Sequence, residues 1–456
     1  MPSGDNHERR HPINNYTGLL TYRPRDPGYD SEVSGFNTVV ASTPDLVIAA
    51  RSVHDISVAT RIAAERGDGP LQVVATGHGG VPVTSGVLVT TSRLDTVRID
   101  PDARIATIGA GARWAAVVAA AAPYGLAPVA GGSTSVGVVG YLVGGGLGPL
   151  ARSHGYSSDY LVAATIVTPD AEVLTLSAEQ HPDLFWAVRG GRGGFGVIAE
   201  VHIRLVELPE LYAGSLTFSE EHIATVMRGW ADWTAHADAR ATTSVVVINF
   251  PDLEDLPGHL RGRRMLRLRF AFPGAASEGE AIVKPLRDLA PALVDAVGSL
   301  PIDQVARIHD DPEDAGPSWF RGFMLTHIDH DFVTTFLHAF GSGGDSTFMV
   351  VELRHLGGAT AADVIGGSAV GGRSAAFSLS LGSPFPPMFP SLPAAALDVA
   401  RRLERWLAPE TTINLIGNRI SEGRYEKSWP QDILDRLEAV RSSVAIDPPT
   451  RPVTAT

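Results

Sequence analysis

Residues 131–148 read GGSTSVGVVGYLVGGGLG, and the rest of the chain is arranged around them. Eight of these eighteen residues are Gly, where 48 in 456 would give about two. No charge interrupts the run. Each interior Gly costs a helix roughly 1 kcal/mol against Ala, so the stretch is not expected to make a good helix. Val136, Val138, Val139, Leu142 and Val143 want burial, which a polar, Ser-rich linker would not. The stretch therefore reads as buried, bare backbone that a large flat ligand can approach closely.

Just upstream, Leu71–Ala75 reads as a strand that runs into Thr76-Gly77-His78-Gly79-Gly80. Glycines on both sides of one imidazole let a loop wrap a phosphate or a ring with its N–H groups. On these residues alone, His78 is open to three roles (metal ligand, base or covalent anchor) or sits in a plain turn. A metal site is not expected. His327 and His330 stand in H-I-D-H, but no nearby partner completes a ligand set. No G-x-G-x-x-G bridges a strand and a helix with an acid about 20 residues on, and no Walker loop or G-x-S-x-G is present.

Farther out, the totals narrow the class. The chain has 456 residues, 44% hydrophobic and 19% charged, which suits a soluble two-domain or composite globule. A net charge of −13 without a basic face argues against nucleic acid as a partner. There is no Cys, so disulfides, thiolate catalysis and Cys-based metal sites are excluded. The start, MPSGDNHERRHP, has no apolar signal core and no 18-residue apolar run follows, so a cytoplasmic protein with no membrane contact is expected.

Residues 1–35 read as a surface arm. Strands are expected at Leu46–Ala50, Val87–Thr90 and Val197–Leu205, and hairpins at Thr96–Ile108 and Leu161–Leu176. Asp55–Arg66 has helical spacing, with Ser52 as N-cap and Gly67 as stop, and Trp114–Ala122 is an Ala-rich helix. From about residue 209 the pattern changes to long strands separated by amphipathic helices. It predicts one antiparallel sheet with a wet or ligand-facing side. A strand at Thr412–Ile416 and a helix at Gln431–Arg441 close the chain.

The order of these motifs resembles the berberine-bridge-enzyme-like branch of the vanillyl-alcohol oxidase/p-cresol methylhydroxylase flavoproteins. The matching marks are T-G-H-G-G at 76–80, G-A-G-A at 109–112 and AGGSTSVGVVGYLVGGGLG at 130–148. Arg152, His154-Gly155-Tyr156, Asp159 and PDLFWAVRGGRGGFGVI at 182–198 follow. Weaker echoes are VELRHLGGA at 351–359 and Asp447-Pro448. The resemblance implies an α+β fold: a two-part α/β FAD-binding domain over 1–208 (its core about 40–208), and a substrate domain over 209–410 with an antiparallel sheet covered by helices. A segment at 411–456 would return to the FAD side. It also implies FAD, with the pyrophosphate on the 76–80 loop, the ring along the glycine stretch, and a covalent bond from His78 to the flavin.

The cofactor residues carried over are Thr76, Gly77, His78, Gly79, Gly80, Gly132, Ser133, Thr134, Val136, Gly137, Gly140, Tyr141, Gly144, Gly196, Ile198 and Asn414. Ser133 stands where many relatives carry a second tether, a Cys, so one tether is expected. Val136 matches the position that gates oxygen. The usual bases are missing: Gly372 replaces a His, Ala362 a carboxylate and Thr412 a Tyr. Tyr141, Arg373, Asp363 and Asn414 remain as catalytic candidates, with Arg354 and His355 as further polar ones. The function expected is an oxidase that takes a hydride from a small organic molecule and reduces O2 to H2O2, as monomer or homodimer. The alternative is a cyclase or pericyclase of natural-product biosynthesis with a non-redox flavin.

Overall fold

The computed structural model describes residues 18–444 except 68, 70, 80, 81, 209, 253, 255, 257, 259, 345 and 418–424. Gly80 and Asp447-Pro448 lie outside the described residues. Two small sheets form the first part. In one, Leu46–Ala49 and Leu71–Val74 run parallel to Val87–Thr90 between them. These strands are short and apolar, and Leu46–Ala49 and Val87–Thr90 are buried throughout, as parallel strands covered on both faces must be. The helix Val53–Arg66 covers this sheet. The Ser52 hydroxyl accepts from the Asp55 N–H, and Gly67 closes the helix at φ 60°. The second sheet is antiparallel, in the order Val97–Asp100, Ile105–Gly109, Val197–Arg204, Leu161–Val167, Val173–Ser177.

The larger sheet spans Glu210–Asp295 and Gly298–Ser383 in sequence and is antiparallel at every pairing. Its central order is Glu210–Ser219, Arg264–Phe272, Thr242–Asn249, Val350–His355, Phe377–Ser383, Trp319–Leu325. Side chains alternate across it. Val351, Leu353, Val245, Val247, Leu266 and Leu268 point into a core shared with helices Ile223–Thr234, Ala276–Arg287, His330–Phe340 and Leu392–Arg402. The other face carries Arg267, Arg269, Ser244, Glu352 and Arg354, with Ser244 directly between Arg269 and Arg354 in register. This is the polar side that the alternation predicts.

The glycine stretch lies against that polar face. Arg152, 7% exposed, fastens the two: its Nε donates to the Ala241 carbonyl at 2.8 Å, and its Nη1 lies 2.8 Å from His355 Nε2. Near the end of the chain, Gln431–Val444 lies along Pro182–Val188, where Arg436 pairs with Asp183 at 2.9 Å.

Two local expectations are corrected and one is refined. Thr412–Ile416 is no strand. Ile413–Leu415 is a 3-10 turn, because the Asn414 amide reaches the Tyr141 carbonyl (3.1 Å) and the Thr412 hydroxyl reaches that of Gly144 (3.4 Å), and these contacts override β-propensity. Within 1–35, the described part lies largely on the surface, as expected, but it is fastened there rather than a free arm. Thr21–Tyr22 pairs with Leu46–Ala49, and Tyr29 is buried with its hydroxyl on the Pro44 carbonyl at 2.7 Å. The glycine stretch also holds one helical turn, Val138–Leu142, in which Gly140 is flanked by side chains that favour burial.

Candidate active site

His78 leaves its strand between glycines, and Gly77 has φ +69°. A Cβ on Gly77 would stand 2.5 Å from the Gly35 Cα, so this crossing of two backbones requires Gly. The imidazole stacks on Phe36, centroids 3.8 Å apart and 12° from parallel. Its Nδ1 lies 2.9 Å from the Thr76 hydroxyl and its Nε2 3.1 Å from the Ser135 hydroxyl, which in turn lies 2.9 Å from that of Ser133. Thr76 also accepts the Gly137 N–H at 3.2 Å. Burial, with the Arg113 cation second, lowers the His78 pKa to about 4, so the ring is neutral at pH 7.

The glycines divide into two kinds. A Cβ on Gly131 would meet the Tyr141 ring at 2.9 Å, and one on Gly146 would overlap that ring from the other side. Gly132 makes room for the His309 ring and Gly144 for the Asn414 amide. These glycines admit this chain's own side chains, which the sequence reading did not anticipate. Gly140, with Gly79 beside His78 and Gly193 in the 190–196 loop, has nothing within 4 Å of a Cβ. Thr134 and Val136 turn their carbonyls to the N–H groups of Ala115 and Trp114 (2.9 and 3.0 Å). The side chain of Val136 packs on the edge of the core. Gly196, at φ +131°, presses on the Val167 carbonyl and Ile198 is in the core.

Tyr141 stands edge-on to Trp114, centroids 5.9 Å apart. Its hydroxyl is buried beside the Ser157 hydroxyl, which itself donates to the Val129 carbonyl. Burial pushes the phenol pKa well up and Arg354 opposes only in part, so the group stays protonated. Across from it, Glu352 accepts from Arg354 at 3.1 Å through both oxygens and from Arg269 at 3.0 Å. The two cations hold its carboxyl well below the usual range against the effect of burial. Arg354 also donates to the Leu147 carbonyl at 2.8 Å and lies 3.2 Å from His309 Nε2. A guanidinium only donates, so His309 accepts there and carries its proton on Nδ1, which is buried and without a partner.

The catalytic candidates fall into two groups. Tyr141 and Asn414 meet at the glycine stretch. Arg373 and Asp363 lie elsewhere: Arg373 pairs with Asp159 (2.6 Å) and Asp363 (3.2 Å), donates to the Ala362 carbonyl (2.6 Å), and covers the Tyr156 ring at 4.8 Å. Arg354 joins the first group, while His355 faces Arg152 and stacks on Phe377. His309, Arg269 and Glu352 were missed. The alternation Arg267-x-Arg269 and Glu352-x-Arg354 on half-buried strands was a usable signal; His309 had none.

Open backbone at Gly79, Gly140 and Gly193, a buried phenol and a neutral imidazole fit a large planar cofactor with a phosphate tail. Residues 44–177 match the FAD binding domain family. The chain carries an FAD-binding domain and has the fold of the berberine-bridge-enzyme-like flavoproteins of the vanillyl-alcohol oxidase/p-cresol methylhydroxylase superfamily. Among individual relatives, it is 34% identical over 200 residues to (R)-6-hydroxynicotine oxidase of Paenarthrobacter nicotinovorans, covering 43% of each chain. It is 30% identical over 233 residues to glucooligosaccharide oxidase of Sarocladium strictum, covering 49% of this chain and 46% of that one. In three dimensions it superposes on BBE-like 1 of Physcomitrella patens with a TM-score of 0.81 at 15% identity, over 96% of this chain and 98% of that one. By sequence, the chain spans about half the length of the curated relatives it matches. Among the described residues, no helix is long and apolar enough to cross a membrane, and no group of three or more His, Cys, Asp or Glu could hold a metal ion.

Proposed function

We propose that the protein is an FAD-dependent oxidase whose flavin is tethered through His78 alone. FAD bound at this site supplies two-electron oxidation: the organic substrate loses a hydride and a proton, and O2 takes up both electrons and both protons as H2O2. In this reading residues 1–208 form the FAD-binding part, 209–410 the substrate part, and 411–456 returns to the former. Thr76, Gly77, Gly79 and Gly80 wrap the phosphates. Gly140 lines the ring's course, with Thr134 and Gly137 beside it, and Val136 keeps its oxygen-facing side small; Gly132 and Gly144 are filled by His309 and Asn414, and Gly196 and Ile198 pack against this chain's own core.

The observation that carries the tether is the His78 ring itself, stacked on Phe36, held between Thr76 and Ser135, and neutral at pH 7. A neutral imidazole keeps a lone pair for bond formation, and a fixed orientation makes that lone pair productive. Ser133 occupies the place of a second tether, and a chain without Cys offers no thiolate there. Tyr141 is kept protonated, and Asn414 holds the Tyr141 carbonyl. The Arg269–Glu352–Arg354 network supplies the opposite wall. The relatives named as oxidases support redox chemistry, and no observation favours the cyclase alternative.

The test is acid precipitation of the purified protein. The yellow colour stays with the denatured chain, and His78→Ala protein binds FAD but releases it all into the supernatant. Flavin released equally from the parent protein removes the tether. A protein that takes up no FAD at all removes the oxidase.

A further inference from the structure

Arg192 is the centre of Gly190-Gly191-Arg192-Gly193-Gly194, and it has φ +65°. That left-handed conformation is free of strain for Gly and strained for a residue with a side chain. Gly on both sides shows what the backbone alone would select, so an arginine kept here points to a use for its side chain. Its backbone N–H donates to the Val143 carbonyl at 2.8 Å, which joins this loop to the glycine stretch. Its Nη2 donates to the Gly79 carbonyl at 3.3 Å, in the loop that carries His78. The guanidinium thus bridges two glycine loops, and Gly79 and Gly193 are both open, with nothing within 4 Å of a Cβ.

Among the described residues, no carboxylate pairs with its charge. The chain is acidic, at −13, and several arginines elsewhere in it pair with carboxylates: Arg93 with Glu32, Arg269 with Glu352, Arg373 with Asp159. Among the described residues, Arg192 has no carboxylate within ion-pair distance. The group that acts on it is the Tyr425 phenol, which already accepts from Arg441 at 2.9 Å. A guanidinium does not shed its proton, so a fixed positive charge stands beside open backbone.

We propose that Arg192 is the cation that binds the diphosphate bridge of the dinucleotide, so that this chain selects FAD over flavins lacking the bridge. The inference rests on the reading that FAD binds here, and adds a side chain to a phosphate loop otherwise made of backbone. The planar guanidinium pairs with phosphate oxygens through parallel N–H groups, and the flanking glycines let those oxygens approach.

Equilibrium titration tests it. His78→Ala protein, freed of flavin, is titrated with FAD and with riboflavin by fluorescence quenching, with Arg192 intact and as Arg192→Gly. FAD binding weakens about 10- to 100-fold, the cost of one charged hydrogen-bonding partner, and riboflavin binding stays unchanged. The apoprotein's melting temperature holds or rises, because Gly relieves the strained φ. Arg192→Lys, which keeps the charge, recovers part of the FAD affinity. Equal losses for FAD and riboflavin, or a lower melting temperature, make Arg192 a structural residue and overturn the proposal, as does unchanged FAD binding. Failure of the parent protein to bind FAD overturns the underlying reading as well, which sets that result apart from the others.

Discussion

The two walls that meet at Tyr141 are built on opposite principles. The glycine wall is main chain. Its shape comes from residues without side chains, and neighbouring groups enter where a Cβ would be. The sheet wall is side chain. Arg269, Glu352 and Arg354 come from two strands, Arg269 and Glu352 standing 83 positions apart in the chain, and the 3.0 and 3.1 Å pairings among them set its character. A main-chain wall tolerates no added atom where a neighbour already fills the space of a Cβ, whereas a charged side-chain wall tolerates no lost partner. Each is rigid for a different reason, and each fails differently.

The largest effect is expected on the sheet wall. Glu352→Gln removes the anion that Arg269 and Arg354, 10% and 15% exposed, share, and leaves Arg269 with Asp311 at 3.4 Å alone. Removing one partner of such a network costs about 3–5 kcal/mol, read by urea unfolding. A loss under about 1 kcal/mol would mean that the two cations are neutralised from elsewhere, and the contrast between the walls would go.

The glycine wall gives the next effect, and with two signs. In Gly148→Ala the new methyl overlaps the Ala130 carbonyl, a backbone atom that cannot move aside, and the cost is about 3 kcal/mol. Gly140→Ala meets nothing within 4 Å and lies in the turn Val138–Leu142, so the apoprotein is unchanged or gains up to about 1 kcal/mol. The same methyl enters the space assigned to the flavin and weakens FAD binding. Equal thermal destabilisation by both substitutions would show that the two kinds of glycine are not distinct.

The smallest effect concerns pH. His355 is held neutral in the fold, its pKa lowered to about 3 by burial and then by Arg152, and burial lowers that of His309 too. The unfolded chain takes up these protons near pH 6.5 and the folded chain does not. Stability therefore falls as pH drops below about 6.5, by up to about 1.4 kcal/mol per unit for each histidine, and the decline from His355 stops near pH 3. His355→Phe keeps a ring against Phe377 and flattens the curve by one histidine's share, measured by denaturant unfolding between pH 7 and 5. An unchanged slope would mean that His355 is protonated in the fold.

Most strands and helices were legible from alternation, helical spacing and caps, as Ser52 and Gly67 show at Val53–Arg66. Thr412–Ile416 was misread because its β-branched pattern is local, and the contacts of Asn414 and Thr412 that bend it come from 268 to 273 residues away. Tyr141 and Asn414, named by motif position, lie together at the glycine stretch. Arg373 and Asp363 were also named that way, yet they lie in a separate ion-pair cluster with Asp159.

By itself, the sequence determined that a glycine-lined loop follows a strand and that one imidazole sits within it. Glycine's effect is local: a missing Cβ changes what the main chain can do at that residue, whatever the rest of the fold. Only the tertiary structure decided which glycines face open space and which are filled by His309, Asn414 or Tyr141. It alone placed Glu352 between two arginines. Charges act over a few ångströms in space, and the strands that bring these together are set by sheet register rather than by neighbours in the chain.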